Sequence, residues 1–271
     1  MVLEQHEEKL DIKRYAEAFF ELFICGALVL PGGVIGEAVN PFCIFAADCE
    51  VGDIKARMAI IEKMARRYKY IPAKLEEALS HLLQYSNKFN EDIPKLAMAV
   101  ALSVTSGLVS ASVLHQLLKD HLVRDGSSLS FFTLFAQTAL TQVNADQLTT
   151  ILRKNGLGDN LDKFFPPDDR GEEIIKLHFE SSGLKVVHSY YLKQKSLAQK
   201  SDFALSLLDV VSTSSPAEVL VYITQQMANS SIVYEDIVPS LWNGICDTVD
   251  WGKGEQQFEG NIVKLMEVTS Y

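Results

Sequence analysis

IKARMAIIEKMARRYKYIPAKLEEALSHLLQYSNKF, residues 54–89, decides how the rest of the chain is read. At helical spacing Ile54, Met58, Ile61, Ala65 and Tyr68 form one apolar stripe, and Lys63, Arg66 and Arg67 fall on roughly the opposite face. Pro72 suits the first position of a second helix, where its missing N–H has no helical partner anyway. Glu76 and Glu77 follow where the N-terminal dipole favours negative charge. Leu75, Leu79, Leu82 and Phe89 repeat the stripe. Two helices joined by about two residues run antiparallel and pack on each other, yet the pair leaves apolar surface uncovered. It needs further helices beside it.

The sequence on the C-terminal side supplies them. Sustained period-two alternation is nearly absent, while three-and-four spacing recurs almost everywhere. Asn90 or Asp92 with Pro94 starts a helix holding Leu96, Val100 and Ser103; Ser110 starts the next, whose Val113, Leu114, Leu117 and Leu118 run to a stop at Asp125-Gly126. Ser127 or Ser128 opens another with Phe132, Phe135 and Ala139, and Asn144 with Gln147 reads as a capping box for a helix ending at Asn155-Gly156. Alternate helices thus begin near 53, 92 and 128 and their partners near 72, 110 and 145. The spacing predicts a helix-pair unit of roughly 36–40 residues, the range of HEAT-type repeats. The expected fold is all-α, a HEAT/ARM-like superhelix of antiparallel helix pairs.

Before the central pair, the pattern predicts a helix from Leu3 to about Val29, with Ile12, Tyr15, Phe19 and Leu22 inward and Pro31-Gly32-Gly33 as its stop. Phe42, Cys43, Ile44 and Phe45 are too apolar for a floating loop and are expected to pack back onto the first helices. After the array, Pro166-Pro167 stops a short helix, Ile174, Ile175 and Phe179 mark the next, and Leu184 to about Gln199 another. From about Ser201 a fresh series begins: Phe203–Val211, Pro216–Ala228, Tyr234–Val249 and Glu255–Val268. The expected domains are therefore 1–200 and 201–271. Trp242 and Trp251 are read as helix-packing anchors, each offering a large buried area and one N–H to satisfy.

The 271 residues can bury a substantial core, and 48% apolar content is that of an ordinary globular protein. A formal net charge of -10 argues against a general nucleic-acid binder, whose affinity would rest on Lys and Arg neutralising phosphates. Cys25, Cys43, Cys49 and Cys246 lack C-x-x-C spacing, and three sit among apolar residues, which points to a reducing compartment. The start, MVLEQHEEKLDIKRY, carries no basic-then-apolar leader. Leu22 to Leu30 is too short to cross a membrane, and Leu96 to Leu114 has a polar middle from Ser103 to Ser112. A cytoplasmic location without membrane insertion follows as the expectation.

Read in order, LDIKRYAEAFFELFICGALVLPGG, FCIF, MARRYKYIPAKLEEAL, LRKNGLGDNLDKFFP, GLKVVHSYYLKQKSL and LWNGICDTVDWGKGE closely resemble the basic leucine zipper and W-two domain proteins. These are also called mimics of the fifth eukaryotic translation initiation factor. The resemblance runs in register over nearly the whole chain. It implies an N-terminal HEAT-type repeat domain, related to the middle domain of initiation factor four gamma, and a C-terminal W-two-type HEAT domain like that of the fifth factor. It further implies an adaptor without an active site that binds initiation factors two (through the beta subunit) and three within the small ribosomal subunit preinitiation complex, competes with the true fifth factor and so restrains initiation. Against the family pattern the chain is expected to be truncated at both ends, starting inside the first repeat. It is also expected to lack the acidic and aromatic boxes that engage factor two's beta subunit, either as a fragment or as a divergent form. The zipper of the name is not supported, because no stretch sustains an a/d heptad.

No catalytic pattern is found. His6, His81, His115, His121, His178 and His188 lack metal-ligand spacing among themselves, and there is no P-loop, dinucleotide fingerprint or G-x-S-x-G elbow. No metal or cofactor is expected, and no enzyme activity. The one surface that stands out is basic: seven basic residues and one acidic residue lie between Lys55 and Lys74, in a chain of net charge -10. Its bland reading is a solvated helix face. Its functional reading is a partner-binding face made by Lys63, Arg66, Arg67, Lys69 and Tyr70, which contacts an acidic segment of an initiation factor or ribosomal RNA. Direct nucleic-acid binding by this face is the alternative function.

Overall fold

The computed structural model describes residues 13–37, 40–229 and 234–248. Its elements are α1 (Ala16–Ile24), β1 (Val29–Leu30), β2 (Val34–Ile35), α2 (Val51–Arg67), α3 (Ile71–Leu83), α4 (Ile93–Thr105), a 3-10 helix (Ala111–Leu118), α5 (Asp120–Arg124), α6 (Ser127–Gln142) and α7 (Ala145–Lys154). They continue with 3-10 turns at Gly158–Phe164 and Pro167–Asp169, then α8 (Glu172–Ser181), α9 (Lys185–Thr213), α10 (Pro216–Asn229) and α11 (Tyr234–Thr248). The chain divides into two compact units, residues 1–191 and 192–271.

In the first unit the central pair forms as read. Ile54, Met58 and Ile61 bury the inner face of α2, and Ile71, Leu75, Ala78, Leu79, Leu82 and Leu83 that of α3, with Pro72 in the first turn. The first helices of successive pairs pack side by side, α2 on α4 and α4 on α6, while α3 packs between α1 and the 3-10 helix. This is the stacked helix-pair array that the spacing predicts. Its core is one continuous cluster from Ala16 to Tyr191, in which Phe132 stacks on Phe164 at 4.6 Å between ring centroids and Phe165 meets Phe179 edge-on.

The helix ends are set by local chemistry. Asn144 and Gln147 form the predicted capping box: the Asn144 Oδ1 accepts the Gln147 N–H at 2.8 Å and the Gln147 Oε1 accepts the Asn144 N–H at 3.2 Å. α7 closes with Leu157 N–H on the Leu152 carbonyl and Gly156 N–H on that of Arg153; α8 closes in the same way with Leu184 on Phe179 and Gly183 on Glu180. These paired bonds satisfy the last carbonyls and turn the chain, burying the leucine that follows.

Four local expectations are corrected. The helix predicted to reach Val29 stops at Ile24, and an antiparallel hairpin follows, pairing Val29 with Ile35 and Leu30 with Val34 around Pro31-Gly32-Gly33. Its inward residues are Ala16, Phe20, Glu21 and Ile24; Tyr15 is exposed. Phe19 is half-buried against the core as expected, and Ile12 lies outside the described residues. The segment after Ser110 is a 3-10 helix, not α: Ala111, Leu114 and Leu117 are buried at its three-residue repeat, and the Ser110 Oγ accepts the Ser112 N–H. In the long connection Cys43, Ile44 and Phe45 pack inward as expected, but Phe42 is 79% exposed.

The second unit has its own core of Phe203, Leu207, Val211, Val219, Ile223, Ile237 and Leu241, spaced four apart along each helix. Phe203 stacks on Tyr222 with centroids 6.2 Å apart. The break predicted between Gln199 and Phe203 is absent, because α9 runs unbroken from Lys185 to Thr213; no glycine or proline interrupts it. Ser215 caps α10, its N–H and hydroxyl both donating to Glu218 Oε2, with Pro216 in the first helical position. The helix expected at Glu255–Val268 lies outside the described residues.

Candidate functional site

The basic face is built by the end of α2 and the elbow into α3. α2 ends where Tyr68 turns extended, its N–H still bonded to the Met64 carbonyl at 2.8 Å, and the Ile71 N–H reaches back to the Tyr68 carbonyl at 3.1 Å. Three residues therefore make the whole connection. Tyr68 and Tyr70 are half-buried against the core with ring centroids 5.8 Å apart, which fixes the elbow. Arg66 and Arg67 occupy the last turn of α2, where positive charge offsets the partial negative charge of the helix end.

Lys63, Arg66, Arg67 and Lys69 are all exposed. Lys63, Arg66 and Arg67 stand three and four residues apart, and so lie on one face. The Arg67 guanidinium carbon lies 5.4 Å from the centre of the Tyr68 ring, within cation–π range. Three further basic residues of this stretch reach to groups away from the elbow. Lys55 donates to Gln142 Oε1, Arg57 donates to the Cys43 carbonyl and so ties down the 40–45 segment, and Lys74 pairs with Glu77 at 2.6 Å. Glu76 turns the other way, accepting from the Ser110 N–H and the Ser112 hydroxyl. Of the seven basic residues between Lys55 and Lys74, Lys63, Arg66, Arg67 and Lys69 stand around the elbow. Two are guanidinium groups, whose planar forks match carboxylate or phosphate oxygens.

The remaining sequence-stretch candidates fall apart. Trp242 is 46% exposed, beside the buried Leu241 and Ile237 of α11. Trp251 lies outside the described residues. Cys25 and Cys43 are buried and Cys49 is exposed. Burial, helped by the nearby Glu21, pushes the Cys25 thiol up to about 12, so it is not a thiolate nucleophile at neutral pH.

One grouping escaped the sequence. Spacing among the histidines excludes a metal site, but the fold brings His81 of α3 against Glu17 and Glu21 of α1, with one ligand atom from each within 4.8 Å of the others. A Glu-x-x-x-Glu step on one helix was the only signal, and its third member lies sixty residues away.

The family model described as the 5MP1/2 HEAT domain matches residues 1–201. The chain belongs to that family. The helix-pair array is thus of the HEAT type, an all-α HEAT/ARM-like fold. Among curated proteins, it is similar to eIF5-mimic protein 2 of Homo sapiens, at 26% identity over 263 residues, covering 96% of this chain and 63% of that protein. It is likewise similar to eIF5-mimic protein 2-B of Danio rerio, at 28% over 269 residues and 98% and 64% coverage. The match to eIF5-mimic protein 1 of Danio rerio is 29% over 266 residues, with 96% and 63% coverage. The chain spans about 63% of the length of the relatives it matches. No solved structure matches it. Among the described residues no helix is long and apolar enough to cross a membrane.

Proposed function

We propose that this protein is a non-enzymatic adaptor that regulates translation initiation in the cytoplasm, binding initiation factors two and three in competition with the fifth factor. The observation that carries the reading is the match of residues 1–201 to the 5MP1/2 HEAT domain, together with relatives named as mimics of the fifth factor. On this reading residues 1–200 are the repeat domain. Residues 201–271 are the opening helices of a W-two-type domain, supported by their separate core. The partner-binding face is Lys63, Arg66, Arg67 and Lys69 with Tyr70 at its edge, and its occupant is an acidic segment of an initiation factor in the small-subunit complex. Carboxylates suit it because two guanidinium groups stand on one helix face in a chain that is otherwise acidic.

Affinity purification of the chain from cytosol at physiological salt, beside Arg66→Glu/Arg67→Glu, tests this. Recovery of factors two or three with the wild type and their loss with the double variant is the expected result; recovery of neither with the wild type overturns it. A second reading, direct RNA binding, is favoured by the Tyr68–Tyr70 ring pair beside Arg67, which could support a base. It predicts RNA affinity that falls steeply between low and physiological salt.

A further inference from the structure

We propose that Glu17, Glu21 and His81 form a binding site for Zn²⁺ that pins α1 to α3. Glu21 is 5% exposed, deep for a carboxylate, and its two oxygens have different tasks. Oε2 accepts the Val29 N–H at 2.9 Å, which fixes the plane of the group. Oε1 is thereby aimed at His81, whose Nδ1 lies 3.4 Å away. Glu17, one turn earlier and on the same face, brings its Oε1 to 3.6 Å from the same nitrogen. His81 itself is oriented by an edge-on contact with Tyr85, ring centroids 5.5 Å apart.

The separations fit ligands around a metal ion and are longer than those of a hydrogen-bonded pair. Nδ1 is shielded from solvent and makes no hydrogen bond, although two carboxylates face it. Its distances of 3.4 and 3.6 Å to them are too long for N–H···O bonds, which lie at about 2.7–3.2 Å. They do match the edge of a tetrahedron. With Zn–N and Zn–O bonds of about 2.0–2.2 Å, two ligands on one zinc stand about 3.4 Å apart. The third edge, between the two carboxylates, closes by rotation of the Glu17 side chain, which is 69% exposed. The Val29 N–H on Glu21 is the outer-shell bond that holds a ligating carboxylate in place. One imidazole nitrogen and two carboxylate oxygens suit Zn²⁺ and leave a fourth position for water; Mg²⁺ and Ca²⁺ prefer oxygen alone. Ligation through Nδ1 places the ring proton on Nε2. The bound ion neutralises the buried Glu21 carboxylate and ties the hairpin helix to the repeat array.

The test is isothermal titration of Zn²⁺ into the full chain after chelator treatment, in parallel with a thermal melt. The wild type is expected to bind one Zn²⁺ that Mg²⁺ does not displace, and to melt higher with it. Glu17→Gln should bind at least about tenfold more weakly and His81→Ala not at all. Glu17 is exposed, so its variant keeps the fold, verified by circular dichroism, and decides the matter alone if His81→Ala misfolds. Absence of Zn²⁺ binding by the wild type, or wild-type affinity in either folded variant, overturns the site.

Discussion

Lys55 Nζ donates to Gln142 Oε1 at 2.7 Å, joining the start of α2 to the end of α6 across 87 residues of sequence. The bond separates one lysine of the basic stretch from the elbow that carries the proposed function. Eleven residues of helix place Lys55 about 16 Å from Arg66 along the axis, roughly two Debye lengths at physiological salt. Lys55→Ala is therefore expected to leave partner recovery within about twofold of wild type, and stability within about 0.5 kcal/mol, as for an exposed contact. Quantitative pull-down beside Arg66→Glu/Arg67→Glu checks it. Equal losses in the two would mean that net charge, not the elbow, is recognised.

Gly33 and Gly32 both sit in the left-handed region, at φ of +79° and +88°, but their surroundings differ. A Cβ on Gly33 would stand 2.6 Å from the Tyr85 ring, whereas one on Gly32 would meet nothing within 4 Å. Gly33→Ala therefore adds a clash to the backbone strain and is expected to destabilise the first unit by about 2 kcal/mol or more; Gly32→Ala carries only strain, about 1 kcal/mol. Urea midpoints of the two variants give the comparison. Equal midpoints would show that the hairpin does not rest on Tyr85.

The helix-pair array was legible because its signals are local and additive. Pro72, Pro94, Asn144 with Gln147 and the glycine stops each act within a turn of where they stand. What stayed hidden depends on residues brought together by the fold. Two-residue strands are too short to show alternation, and the 3-10 helix at Ala111–Leu118 differs from an α-helix by a period that eight residues barely resolve. Glu21 reads as a surface residue until Val29 and His81 are found beside it. The basic face was visible as composition. Its true extent was not, since nothing in the sequence tells that Lys55, Arg57 and Lys74 are occupied by Gln142, Cys43 and Glu77.

Asn144→Ala removes the side-chain acceptor from the start of α7 and leaves the Gln147 N–H unpaired. The expected loss is about 1 kcal/mol, the usual worth of such a cap. Gln147→Ala removes only the reciprocal bond to an exposed N–H and should cost less. Melting temperatures of the two variants rank them, and the reverse order would show that the box is held by Gln147.

His178 ties α8 to α6, its Nε2 lying 2.9 Å from Thr133 Oγ1. The single Thr133 hydroxyl proton goes to the Leu129 carbonyl at 2.8 Å, so the hydroxyl oxygen must accept and Nε2–H must donate. Burial pushes the imidazole below its ordinary value, and the edge-on rings of Phe165 and Phe179 offer no counter-charge. The unfolded chain takes up the proton first, so the contribution of His178 is fully present above its unfolded pKa, about 6.5, and is lost as pH falls through the lower folded value. His178→Gln keeps an amide donor for Thr133 but cannot titrate. The difference in urea midpoint between wild type and variant should therefore shrink or reverse from about pH 7.5 to about pH 5.5. A difference that stays constant over that interval would show that His178 takes up its proton equally in both states.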